Sequence, residues 1–354
     1  MHSTLTESLD LLLPNLEPTL ASPDAVSGLK ALAANLAPIL RGGFECRLSA
    51  NTPQVDFQQC VIRDKSELVL LRELISTTTS GHRGWLQLDD FLAQWSEPLS
   101  LLGDSIPEIW LEFDINNSGV SLPIPAIFFG LTKSVSSSVE TYPIATKSLD
   151  LLLGRSSWCE WQDNLYRCFA ACPDGVLISH IGVMLSRKLP ALRVNIKRLQ
   201  PQSLIPYLLD IGWEHETNDL VALMKQLSAK VDGITVCLDV GNKIYPSIGL
   251  ECIFLNQPDD ESRWATFLDY LVEVRLCEAQ KRDALLKWPG QTNPFNASAA
   301  WPNNLIVDYL LQSRQRFSVF ERRLSHIKIS WRKQSPLCAK AYLWFQHQWL
   351  SGKN

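Results

Sequence analysis

Apolar and polar residues alternate with period two in ten short segments, and these segments come in pairs. The pairs are 44–50 with 55–63, 109–115 with 124–131, 177–186 with 191–199, 234–240 with 248–255, and 325–332 with 338–346. Short connectors built from turn formers join them: Asn51-Thr52-Pro53, Asn116-Asn117-Ser118-Gly119, Lys188-Leu189-Pro190, Gly241-Asn242-Lys243 and Gln334-Ser335-Pro336. Period two marks a strand with one apolar face, and a short turn-forming connector makes each pair an antiparallel hairpin. The chain therefore reads as hairpins near 44–63, 109–131, 177–199, 234–255 and 325–346. A lone hairpin is marginal in water, so these must share one sheet.

The intervals read as helices. An Ala-rich stretch at 25–40 is stopped by Gly42-Gly43. Helices are expected at 67–76 and 85–95, at 148–153 and 158–171, and at 204–211 and 219–230, the last capped by Asn218-Asp219. The final interval predicts helices at 261–287 and 304–323, around a Pro- and Asn-rich loop at 288–301. Ser134 to Ser138 mark a second loop. Two hairpins open alike, on Ser179-His180-Ile181 and on Ser325-His326-Ile327, and two strands share an apolar-x-apolar-Asp pattern, at 111–115 and 236–240. A repeated helix–strand–strand–helix unit is expected. No low-complexity tract divides the chain, so 1–354 reads as one domain.

Composition narrows the functional classes. With 33 Lys and Arg against 37 Asp and Glu, the net charge of −4 supplies no global field for nucleic acid or an anionic membrane. At 46% hydrophobic residues the chain can bury a large core. No apolar run approaches the ~18 residues of a membrane span, and the start lacks the basic segment of a secretory signal. Nine cysteines without a Cys-x-x-Cys suit reduced thiols, and a cytoplasmic location is expected. Gly-rich phosphate loops, Gly-x-Ser-x-Gly, His-Glu-x-x-His and a Cys/His zinc set are absent from the sequence.

Ten antiparallel strands remove their edges by closing into a barrel, with helices outside covering its apolar face. The expected fold is α/β, a ten-stranded antiparallel barrel of five repeated units. The strand at 109–115 sets Ile109, Leu111, Phe113 and Ile115 against Trp110, Glu112 and Asp114; that at 191–199 sets Leu192, Val194 and Ile196 against Arg193, Asn195 and Lys197. A sheet facing solvent would alternate in the same way. A barrel of about ten strands, however, is wide enough for a ligand chamber.

This element order resembles the ABBA-type prenyltransferases, the PT-barrel family. The family includes soluble aromatic prenyltransferases, fungal indole prenyltransferases and peptide-modifying enzymes of cyanobactin pathways. The strand Arg193-Val194-Asn195-Ile196-Lys197 is similar to the alternating Arg/Lys/Tyr strand that holds diphosphate in indole-type members. It departs from that pattern at Asn195 and in ending on Lys197. Lys340-Ala341-Tyr342 matches the Lys-x-Tyr pattern.

The resemblance implies transfer of an isoprenoid, dimethylallyl or geranyl, from an allylic diphosphate to an aromatic or peptidyl acceptor in natural-product biosynthesis. By strand parity the diphosphate cradle would draw on Arg47, Arg193, Lys197, Lys328, Arg332 and Lys340, with Tyr342 and His326 as neutral donors. Trp110 and Trp344 would wall an aromatic chamber that shields an allylic cation. Glu112 would orient or deprotonate the acceptor, with Asp114, Asp239 and Glu251 on the same presumed face. No cofactor is required on this reading, no metal ligand set is apparent, and Mg2+ beside the diphosphate is an option used by some branches. His180 and His326 hold matching places that suit packing as well as chemistry. Two rivals stay open: a non-catalytic barrel that binds a peptide or hydrophobic ligand in a biosynthetic pathway, and an open α+β interaction protein.

Overall fold

The computed structural model describes residues 4–49, 53–63, 66–78, 82–115, 122–131, 137–186, 191–311 and 316–351. The expected turns at Asn51-Thr52, Asn116 to Gly119 and Lys188 to Pro190, and Ser134 to Ser136, lie outside them. The strands are β1 (Arg41–Arg47), β2 (Val55–Ile62), β3 (Glu108–Phe113), β4 (Ala126–Gly130), β5 (Leu177–Val183), β6 (Leu192–Lys197), β7 (Gly233–Val240), β8 (Ile244–Ile253), β9 (Gly290–Thr292), β10 (Arg316–Arg332) and β11 (Cys338–Ser351). Each neighbour pair is antiparallel from β1 through β8, then β8 with β10 and β10 with β11. The pairing of β11 back onto β1, from Arg41 opposite Gln346 to Arg47 opposite Lys340, closes a ten-stranded barrel. The three-residue β9 adds to β10 outside that ring.

The alternation sorts side chains between two environments. Ile109, Leu111 and Phe113 of β3 and Leu192, Val194 and Ile196 of β6 point outward and are fully buried. Helices cover them. The helix Arg83–Ser96 buries Trp85, Leu88, Phe91, Leu92 and Trp95; the Phe91 ring lies 6.1 Å from Phe129 of β4, and Trp95 Nε1 donates to the Ile106 carbonyl at 2.8 Å. Each such side chain contributes about 1.5–3 kcal/mol by leaving water, and this layer is the core of the molecule. The nine cysteines are all free thiols. Among the described residues no helix is long and apolar enough to cross a membrane.

Several expected elements change. The helix at 25–40 is only Pro23–Ala33, and Gly42 and Gly43 do not stop it but lie within β1. A Cβ on Gly43 would sit 2.4 Å from the Leu343 carbonyl oxygen, and one on Gly42 2.7 Å from that of Gln58. These glycines permit close approach of β1 to its two neighbours. The expected helix at 304–323 ends at Leu311, and Arg316 already begins β10, because that stretch pairs with the far end of β11, from Arg316 opposite Ser351 onward. The long helix at 261–287 is two, Arg263–Glu273 and Ala279–Lys287, separated where Arg275 adopts a φ of 60°. The expected loop at 288–301 contains β9. A helix at Leu5–Leu12, unread in the sequence, packs Leu5, Leu9, Leu11 and Leu12 into the core.

Because the Gly43 contact is with backbone, the strands must part to admit a side chain. Gly43→Ala is expected to cost about 1–3 kcal/mol of stability, measured by urea unfolding; an unchanged midpoint would overturn this account of the seam.

Candidate functional site

The ring encloses a cavity of about 430 Å³ lined by inward-facing residues of the barrel wall. Arg193, Lys197, Lys328, Lys340, Tyr342, Glu112, Trp110 and Trp344 all line it. Parity along separate strands thus brings these groups into one chamber. Four candidates fall outside it: Arg47, Arg332, Asp114 and Asp239. Arg47 faces inward one step beyond, opposite Lys340, and does not line the cavity; Arg332 is exposed at the far end of β10. Asp114, also outside it, accepts from the Ser186 hydroxyl at 3.4 Å.

The cations are arranged with carboxylates. Glu251 stands opposite Lys328 across the β8–β10 pairing and accepts from its ammonium at 3.1 Å. Asp239 stands opposite Arg193 across β6–β7 and accepts from Nε at 2.6 Å. Glu45 accepts from both Lys340, at Oε1, and the Tyr342 hydroxyl, at Oε2. Lys328 and Lys340 are themselves direct neighbours across β10–β11, an arrangement of like charges that costs energy unless counter-charges flank it. Glu251 and Glu45 flank it.

Protonation follows from these contacts. Burial pushes the Glu45 carboxyl up, but Lys340 and its hydrogen bonds pull it below the ordinary value. Burial likewise opposes ionisation of Glu251, and Lys328 and His326 override it, taking the group down to about 2. Burial pulls the Lys328 ammonium down, while Cys237 and Glu251 more than offset that. Arg193 is pulled down by burial and carried above its ordinary value by Asp239. Burial and Glu45 push the Tyr342 phenol well up, so it acts as a neutral donor.

Trp110 is held by Glu108, whose Oε1 accepts from the indole N–H at 3.0 Å and whose other oxygen pairs with Arg41. The Arg41 guanidinium lies 5.4 Å from the Trp110 ring centre, and that of Arg323 5.7 Å from Trp344. Gln58 Nε2 donates to Glu112 at 3.2 Å, and Phe128 lines the cavity beside them.

The two Ser-His-Ile sequences gain a structural meaning. The β5–β6 register shifts between Ile178 and His180, and that of β10–β11 between Leu324 and His326. At each bulge two consecutive residues line the lumen, Ser179 with His180 and Ser325 with His326. The Ser Oγ and the His Nδ1 are 3.2 Å apart in the first pair and 3.0 Å in the second. The His326 ring stacks on Tyr342 at 4.1 Å. Its Nε2, and the Oδ1 of Asn195, are buried with no hydrogen-bond partner among the described residues.

Sequence reasoning missed Glu45, Glu108, Arg41 and Gln58. The signal for Glu45 was present, since it alternates with Phe44 and Cys46, both fully buried on the outer side. Among the described residues no group of three or more His, Cys, Asp or Glu is placed to hold a metal ion.

Glu251 has a depressed folded value, so its ion pair contributes stability above the ordinary 4.5 and loses it as pH falls towards 2. The stability difference between the wild type and Glu251→Gln is expected to shrink from pH 5 to pH 2, followed by urea unfolding; a difference constant over that window would contradict the pairing.

No protein-family model matches the chain, and no curated protein matches its sequence. Solved structures do. AnaPT from Neosartorya fischeri superposes with a TM-score of 0.55 at 13% identity, over 99% of this chain and 94% of that one. A 6-dimethylallyl tryptophan synthase gives 0.54 at 12%, over 97% and 96%. The 5-dimethylallyl tryptophan synthase of Streptomyces coelicolor, solved with DMASPP and Trp, gives 0.53 at 11%, over 97% and 95%. At these identities the likeness is one of fold, and it extends over nearly the whole of each chain: this protein has the ten-stranded PT-barrel fold of the ABBA prenyltransferases.

Proposed function

We propose that the chamber binds an allylic diphosphate, dimethylallyl or geranyl, and transfers its isoprenoid to an aromatic or peptidyl acceptor. The observation that carries this reading is the convergence of Arg193, Lys197, Lys328, Lys340 and Tyr342 on one cavity that also holds Trp110, Trp344 and Glu112. An open interaction sheet would have left these groups in solvent. The unsatisfied His326 Nε2 and Asn195 Oδ1 add support, because buried polar atoms without partners are uncommon unless a ligand or water completes them.

The chemistry divides among the residues. The bond between the allylic carbon and the diphosphate oxygen breaks, and the diphosphate leaves with the electron pair. Arg193, Lys197, Lys328 and Lys340 stabilise that developing charge, with Tyr342 donating a hydrogen bond. The rings of Trp110 and Trp344 face the allylic cation and keep water from it. The acceptor's nucleophilic atom then bonds to the cation, and Glu112 takes the acceptor's proton. No cofactor is required on this reading, and Mg2+ beside the diphosphate is an option. The rival reading, a barrel that only binds a hydrophobic or peptidic ligand, draws on the close matching of lumen cations by carboxylates.

Calorimetric titration of dimethylallyl and geranyl thiodiphosphates, with and without Mg2+, tests the proposal. Micromolar binding is expected, weakened about tenfold or more, roughly 1.4 kcal/mol, by Arg193→Ala and by Lys340→Ala. Because the latter strands Glu45, it is repeated with Glu45→Gln in the same chain, and folding is checked by circular dichroism. No binding of either analogue in either condition would favour the rival. Glu112→Gln is expected to keep donor affinity within about twofold while lowering turnover about 100-fold; equal loss of both would remove Glu112 from the proton-transfer step.

A further inference from the structure

The lumen cations Arg193, Lys197, Lys328 and Lys340 are equalled by lumen carboxylates Glu45, Glu108, Glu112 and Glu251. A diphosphate of about three negative charges therefore enters a chamber that is already balanced. Two of the carboxylates sit directly on the lysines that would receive it. Glu45 on β1 is faced by Lys340 and Tyr342 from β11, by Asp56 at the paired position of β2, and by Lys328 across the wall. Glu251 on β8 is faced by Cys237 from β7 and by Lys328 and His326 from β10.

We propose that Glu45 and Glu251 are positioning residues that exchange partners on donor binding: each holds a lysine while the chamber is empty, and takes a proton from solvent when that lysine turns to phosphate. This inference rests on the diphosphate reading above and adds a step to it. Its basis is the geometry of the pairs. A carboxylate buried beside a lysine stays ionised because of that lysine; facing a phosphate instead, it has burial and like charge both favouring the neutral form. The wall already contains a case in miniature, since burial and the Glu45 charge raise the neighbouring Asp56 above its ordinary value. The same exchange makes affinity fall as pH rises, because the protons become harder to supply.

The test is calorimetric titration of the intact protein with dimethylallyl thiodiphosphate at pH 7.5, in buffers of differing ionisation enthalpy. The expected result is uptake of about one to two protons per donor bound, with Kd rising up to about tenfold per pH unit for each proton between pH 7 and 8.5. The Glu45→Gln/Glu251→Gln double variant counts any proton belonging to the donor itself and is expected to lose the excess uptake. Binding with no dependence on buffer would overturn the exchange and leave the diphosphate reading standing. Absence of binding in every buffer would overturn the diphosphate reading itself. Should the double variant fail to fold, Glu45→Gln and Glu251→Gln are measured singly: each is expected to lower the uptake below that of the wild type, and an uptake unchanged in both would overturn the exchange.

Discussion

A barrel wall has two faces that must be satisfied in different ways, and the seam between β1 and β11 is what gives this one an inside. Before that pairing forms, the inward residues of every strand belong to an open sheet and are bathed in water. Once Arg41 to Arg47 pair with Lys340 to Gln346, the same residues face one another across a confined volume. Cations, carboxylates and indoles then interact at a lower effective dielectric, where Coulomb interactions strengthen. The glycines of β1 serve this seam, because a side chain at Gly43 would collide with the carbonyl of Leu343.

The charge pattern of the chamber follows from confinement. Lys328 and Lys340 stand side by side on neighbouring strands, an arrangement tolerable in open solvent and costly once water is excluded. Glu251 and Glu45 on the outer flanks compensate, and Asp239 does the same for Arg193. Buried pairs of this kind add little net stability relative to apolar packing, because both partners lose hydration. Their presence in the interior is better understood as holding charge ready at a fixed place than as holding the fold together, a task that falls to the apolar layer between barrel and helices.

The ten strands, their pairing and their inward face were legible in the sequence because period-two alternation is a local property. Parity placed Trp110, Glu112, Arg193, Lys197, Lys328, Lys340, Tyr342 and Trp344 on that face, and the family resemblance singled them out there. Arg47 shows the limit of parity, which places a residue on a face but not at a depth along it. The stretch 316–323 was read as helix because its alternation follows directly on a helical segment, and only pairing with the distant end of β11 makes it strand. Gly42-Gly43 carried a local meaning, helix stop, that the tertiary contact replaced. The partner of each cation was invisible for the same reason: Glu45 and Lys340 lie 295 residues apart and become neighbours only when the ring closes.

The bulges at Ser179 and Ser325 bear on how such a chamber can change. In a closed ring every strand is clamped on both sides, so one strand cannot slide without re-registering all the others. Strand slippage, which open sheets use to present new residues, is thereby denied. A one-residue insertion absorbed as a bulge leaves the pairing on either side intact while adding a lumen residue out of turn. The Ser-His pairs of β5 and β10 are additions of that type, and they mark where a wall of fixed geometry accepts new chemistry without being rebuilt.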